Sequence, residues 1–152
     1  PIANGTVELL ARVGGPADVL AARLDRLRTL VGAGDAVMDD AAIWTATREF
    51  TWLSESHLLV KTAVTPKTLP DLDRALAAAN AVRRYAVGGN LAWIGWPDSA
   101  SACDQLLKQQ GLQGLILRGD APHALIGAPL QAEFLRRIRT ALDPNHRFVD
   151  FE

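Results

Sequence analysis

The side chains with most chemistry to offer are three histidines, one cysteine and four tryptophans. A metal centre needs ligands that converge. His57, His123 and His146 are far apart, with no His-x-x-x-His or Cys-x-x-Cys spacing between them, so they are expected to be solvated side chains and no metal site is predicted. Cys103 lies near the start of an expected helix, where the helix dipole favours a thiolate, but no accompanying signature supplies a general base. It is predicted to be a small buried residue. Gly32-Ala33-Gly34 lacks the third glycine of a dinucleotide fingerprint and follows a helix instead of a strand, and no Gly-x-x-x-x-Gly-Lys occurs, so phosphate cradles of those kinds are excluded.

Lys61 interrupts an apolar run, so its ammonium must either snorkel to water or meet an anion. Trp93 and Trp96 stand three positions apart in an expected strand and therefore point to opposite faces, one to the core and one to a helix, a cavity or a partner. Trp44 and Trp52 are expected at a core or an interface. Gly88-Gly89-Asn90 suits a tight turn, or a place where backbone comes close to a ligand. Arg83-Arg84 and the trio Arg136, Arg137, Arg139 are expected on solvated faces.

The elements that position these residues follow from periodicity. Thr6 to Val13 alternates apolar and polar as a half-buried strand does, and Leu20, Leu24, Leu27 and Val31 then recur at helical spacing until Gly32. Asp39 or Asp40 can cap a short helix carrying Ile43, Trp44, Thr47 and Phe50. A strand over 57–64 is closed by Pro66, and Thr68 with Asp71 resembles a capping box opening a helix with Leu69, Leu72, Leu76 and Ala79 on one stripe. Val82–Val87 and Leu91–Trp96 form a hairpin around Gly88-Gly89-Asn90. Asp98 or Ser99 caps a helix that Gly111 ends, a strand follows over 114–118, and a loop with Pro122, Gly127 and Pro129 leads to a final helix. Its apolar face is Leu130, Phe134, Ile138, Ala141 and Leu142.

Strand, helix, strand, strand, helix, strand between His57 and Arg118 is the order of a split βαβ unit. The predicted fold is therefore α+β: a ferredoxin-like, mostly antiparallel sheet with helices packed on one face, plus an extra amino-terminal strand-helix and a carboxy-terminal helix. With 152 residues, 49% apolar and 22% charged side chains and no internal linker or repeat, residues 1–152 are expected to make a single domain. A lone cysteine excludes a disulfide-stapled scaffold. A formal charge of −1 gives no footprint for nucleic acid, and no apolar run approaches the length of a membrane span, so neither a nucleic-acid partner nor direct membrane insertion is expected. A chain opening at Pro1 without a methionine or signal peptide is expected to be a piece of a longer polypeptide.

The closing Leu142-Asp143-Pro144, with Phe148 beyond it and a helix rich in basic residues before it, resembles the carboxy-terminal segment of FAD-linked oxidases of the vanillyl-alcohol oxidase type. Ala42-Ile43-Trp44, Thr47-Arg48-Glu49, Leu59 to Pro66, Leu69-Pro70 and Gly88-Gly89-Asn90 with Trp93 are similar, in the same order, to blocks of the FAD-binding subunit of the glycolate oxidase complex. The likeness spans roughly residues 6 to 148. It implies a carboxy-terminal cap domain that shapes the substrate pocket over a flavin held mainly by an amino-terminal FAD-binding domain that this chain lacks.

Carried over by position, Asp143, Pro144, Asn145 and Phe148 would be cofactor-binding, in a segment returning toward the FAD domain. Lys61, Asn90 and Trp93 would be substrate-pocket residues. The Asn-Pro-Gly usual after the Phe is replaced by Val149-Asp150-Phe151-Glu152, and the Glu-His-Gly-type metal and catalytic motif of the sister subunit is absent, so no catalytic residue is assigned. The implied cofactor is FAD. The implied partners are the chain's own amino-terminal domain, other subunits of an oxidase complex and a small 2-hydroxy acid such as glycolate or lactate. The implied setting is cytoplasmic, with any membrane association made through the complex. The alternative, from a different class, is a stand-alone ferredoxin-like module that binds a small ligand or regulates a partner.

Overall fold

The computed structural model describes residues 8–32, 34–129, 132–145 and 147, with backbone alone for 132–135. Contacts gather them into two compact units that meet in sequence between Trp52 and Leu53, where a single domain is expected from the sequence.

In the first unit, Ala17–Val31 forms helix α1 and Ala41–Arg48 forms helix α2. The predicted strand does not occur over its described part, since residues 8–13 take neither strand nor helix structure. Apolar alternation marks a strand only where another strand completes its hydrogen bonds, and no described segment pairs with this one. Neither helix contains a fully buried residue. Leu20, Leu24, Leu27 and Ile43 instead line an open apolar groove of about 560 Å³. Asp40 precedes α2 as predicted, but its carboxylate makes no cap bond. It pairs with Arg12 at 2.9 Å, and that guanidinium also lies 5.7 Å from the centre of the Trp44 ring.

The second unit contains strand β1 (Leu58–Ala63), helix α3 (Leu69–Ala78), strands β2 (Val82–Ala86) and β3 (Leu91–Trp96), helix α4 (Ala100–Gln109), strands β4 (Gln113–Arg118) and β5 (Leu125–Gly127), and helix α5 (Ala132–Leu142). The strands form one antiparallel sheet in the order β2-β3-β1-β4-β5, a ferredoxin-like arrangement extended by one strand. β5 falls in the segment expected to be a loop. Three residues between Pro122 and Pro129 are too short for a periodic signal, and β4 recruits them by pairing Leu115 with Leu125 and Gly114 with Ile126.

One face of the sheet holds the core. Leu58, Val60, Ala92, Ile94 and Trp96 join Leu72 and Leu76 of α3 and Cys103 and Leu107 of α4 in one buried cluster. Leu107 sits so close over Gly114 and Val60 that a β-carbon at position 114 would overlap both. Thr62, also buried, donates its hydroxyl to the Gln113 carbonyl at 2.6 Å, so the polar atom costs little where it lies.

Local signals were only partly decisive. Ser99 caps α4 as predicted, accepting from the Ala102 N–H at 3.3 Å. Thr68 does precede α3, but the capping box does not form. Its hydroxyl accepts from the Thr65 N–H at 3.1 Å and its own N–H donates to the Thr65 hydroxyl at 3.3 Å, while Asp71 pairs with Arg74. The expected hairpin turn is a short 3₁₀ turn over Val87–Gly89 in which Gly88 and Gly89 have φ of 61° and 82°. Val87 shares that region at φ 55°, a costly conformation for a β-branched side chain. On α5 the described part of the predicted buried stripe is exposed: Ile138, Ala141 and Leu142 all face solvent. Helical spacing reports that a side has apolar residues, not that anything covers it.

Candidate functional site

The sheet face opposite α3 and α4 carries the candidate site. The register sets one row of side chains straight across all five strands: Arg84, Trp93, Lys61, Leu115 and Leu125. Alternation along a strand sends these residues away from the helices, because their sequence neighbours Arg83, Ile94, Val60 and Ile116 face the core side. The sequence expectation for Trp93 and Trp96 therefore holds. Trp96 is buried on the helix side with its indole N–H donated to the Ser99 carbonyl at 3.0 Å, and Trp93 is half-buried on the open side.

At the centre of the row, Lys61 Nζ lies 5.5 Å from the centroid of the Trp93 ring. The indole's negative face attracts the ammonium while leaving its outer hydrogens to water or to a ligand. Leu115, Leu117 and Leu125 continue the surface, each more than a third exposed. The described register residues on this side, from Val82, Arg84 and Ala86 through Leu59, Lys61 and Ala63 to Gln113, Leu115 and Arg118, include three cations and no carboxylate. An apolar floor whose described strand residues carry positive charge and no acid suits an anionic ligand with a flat or apolar body. Leu53 covers one corner, resting on Gly95 where a β-carbon would collide with it.

The other sequence-predicted residues are placed differently. Asn90 is exposed in the β2–β3 turn, and its amide is spent locally, donating to the Val87 carbonyl at 3.0 Å. Asp143 is buried just past α5, its N–H bonded to the Arg139 carbonyl at 2.7 Å, whereas Pro144 and Asn145 are exposed. Phe148 lies outside the described residues. Cys103 is fully buried, and desolvation, with Asp104 beside it, pushes its thiol up to about 12, so it is a core residue and no nucleophile at neutral pH. No group of three His, Cys, Asp or Glu side chains that could hold a metal occurs among the described residues.

Arg83 corrects a prediction. Instead of a solvated face it occupies the helix side of the edge strand, 8% exposed, and forks onto Asp73 of α3 with bonds of 2.6 and 3.1 Å. Tyr85 donates its hydroxyl to the same carboxylate at 2.6 Å. The Arg83 hydrogen bond, opposed by burial and aided by Tyr85, holds Asp73 below the ordinary carboxylate value, and burial together with Asp73 raises Tyr85. Every charge in this clamp has a partner, which makes it a device for seating α3 on β2. Its only sequence signal was a single tyrosine two residues from an arginine, too little to name Asp73.

No helix among the described residues is long and apolar enough to cross a membrane. No family model, curated protein or solved structure matches this chain.

Proposed function

We propose that this chain is the cap domain of an FAD-dependent 2-hydroxy-acid oxidase or dehydrogenase subunit, its sheet face opposite α3 and α4 forming the wall above a flavin gripped by another domain. The observation that carries the reading is the row of Arg84, Trp93, Lys61 and two leucines, among described strand residues that bring no carboxylate to this side. These residues fit the group. A planar ring system lies against apolar side chains and an indole without burying an unpaired acid, and the Lys61 ammonium suits the carboxylate of a small hydroxy acid.

Hydride acceptance is the chemistry a bound flavin supplies. This chain's part is positioning: Lys61 holds the substrate carboxylate, Trp93 orients that ammonium through its ring face, and the leucines exclude water from the reacting carbon. In this proposal the setting is cytoplasmic, and the partners are the FAD-binding domain and the other subunits of an oxidase complex.

The test has two arms. Alone, the 152-residue chain is expected to be colourless and inactive. Expressed with the FAD-binding domain it is proposed to cap, it should complete oxidation of glycolate or D-lactate. In that assembly Lys61→Ala and Trp93→Ala should each raise KM about tenfold, the worth of one charge-assisted hydrogen bond. Tight FAD binding and turnover by the isolated chain would overturn the proposal, as would unchanged KM in both variants.

A further inference from the structure

A second cluster of basic groups lies at one end of the sheet, where β4 leaves for β5. Arg118, Gly119, Ala121 and His123 line a small cavity of about 180 Å³ there. Arg118 stands opposite Leu59, at the irregularity between Leu59 and Val60 in the β1–β4 ladder. One of its guanidinium nitrogens donates to the Ser54 carbonyl at 2.9 Å, which fixes the head group. Its Nε is buried with no hydrogen-bond partner. Arg118 itself lines the cavity, and a guanidinium presents its donors in a planar fork that matches two oxygens of one ligand.

The surroundings add to this. His123 is exposed at the rim, and Asp120 of the same loop is not among the lining residues. Gly119 packs against the backbone of Leu58, so the cavity adjoins the start of β1, where the preceding His57 has a buried Nδ1 that is also without a partner. The cavity has room for a group of a few heavy atoms and for nothing the size of a flavin.

We propose that this end of the sheet is a binding site for a small oxyanion, a carboxylate or phosphate group held by the Arg118 fork with His123 at its rim. The cavity shares Leu117 with the edge of the open sheet face, but the proposal does not depend on that face's function.

Amide shifts of the 152-residue chain, followed by NMR during titration with sodium phosphate and, separately, sodium acetate at constant ionic strength, test it. Saturable shifts at Gly119, Ala121 and His123 are expected with at least one anion, and the anion that saturates identifies the source. Arg118→Met should weaken that binding about tenfold or more, and His123→Ala should weaken it about threefold, as expected for losing a charged fork and a rim donor. If Arg118→Met does not fold, Arg118→Lys, which keeps the charge and loses the fork, is read beside His123→Ala. Weakening in either supports the site. No saturable shift with either anion, or binding unchanged in the folded variants, overturns it.

Discussion

The two faces of the sheet are made from the same strands, yet they differ in almost every physical respect. On the helix side Val60 and Ile94 are wholly buried, Thr62 and Arg83 have partners for their polar atoms, and α3 and α4 complete a closed core. On the other side Lys61 and Trp93 occupy the adjacent positions of the same strands, and Leu115, Leu117 and Leu125 are left partly in water. A single step along the chain moves a residue from one set to the other. Stability is concentrated on the first face, and the second leaves side chains within reach of solvent.

The strongest way to break that contrast is to truncate a leucine on each side. Leu107→Ala should cost about 3 kcal/mol, because a fully buried side chain leaves a cavity, whereas Leu117→Ala, at 49% exposure, should change stability by less than about 0.5 kcal/mol. Urea unfolding monitored by tryptophan fluorescence reads both, and equal losses would mean that something covers the open face.

Next in size is the clamp. Asp73→Ala strands Arg83 in a nearly buried position and should cost about 2–3 kcal/mol, less than a wholly buried pair because Asp73 itself is 26% exposed. The sign of its pH dependence follows from the direction of its shift. A carboxyl held below its ordinary value stabilises the fold above that value of 3.8, and the gain is lost as pH falls below it through the lower folded value. Wild-type stability should therefore fall more steeply below about pH 4 than that of Asp73→Asn, in denaturation midpoints taken across that range.

The smallest effect sharpens the picture at the hairpin tip. Val87 is 72% exposed and holds φ at 55°, so Val87→Asn, a residue that tolerates this region, should raise the melting midpoint, by about 0.5–1 kcal/mol in free energy. A lower midpoint would show that the side chain packs against something in solution.

Most of the fold was legible because the relevant signals are local. The stripe Leu69, Leu72, Leu76, the Ser99 cap and the glycine pair at 88–89 each act within one turn of chain, and the structure has all three elements where they point. The misses share a cause. The residues at 8–13 alternate like a strand but lack a neighbour to pair with, β5 is a strand only because β4 lies beside it, and α5 has an apolar side that nothing described covers. The candidate site was half legible. Lys61 and Trp93 were conspicuous as a charge in an apolar run and as one of two tryptophans on opposite faces, but Arg84 was expected in solvent and Leu115 and Leu125 carried no signal.

By itself, the sequence determined which residues could face inward and where the chain must turn, since hydrophobic period and backbone preference are properties of neighbouring residues. Only the tertiary structure decided which charges would be buried and which would meet. Arg83 and Arg84 are adjacent and chemically identical, and the pleat sends one to Asp73 inside and the other to the row of Trp93 and Lys61 outside. That choice depends on strand register, which is set by pairing between separate segments, Arg84 with Trp93, Trp93 with Lys61 and Lys61 with Leu115, and cannot be read from one segment alone.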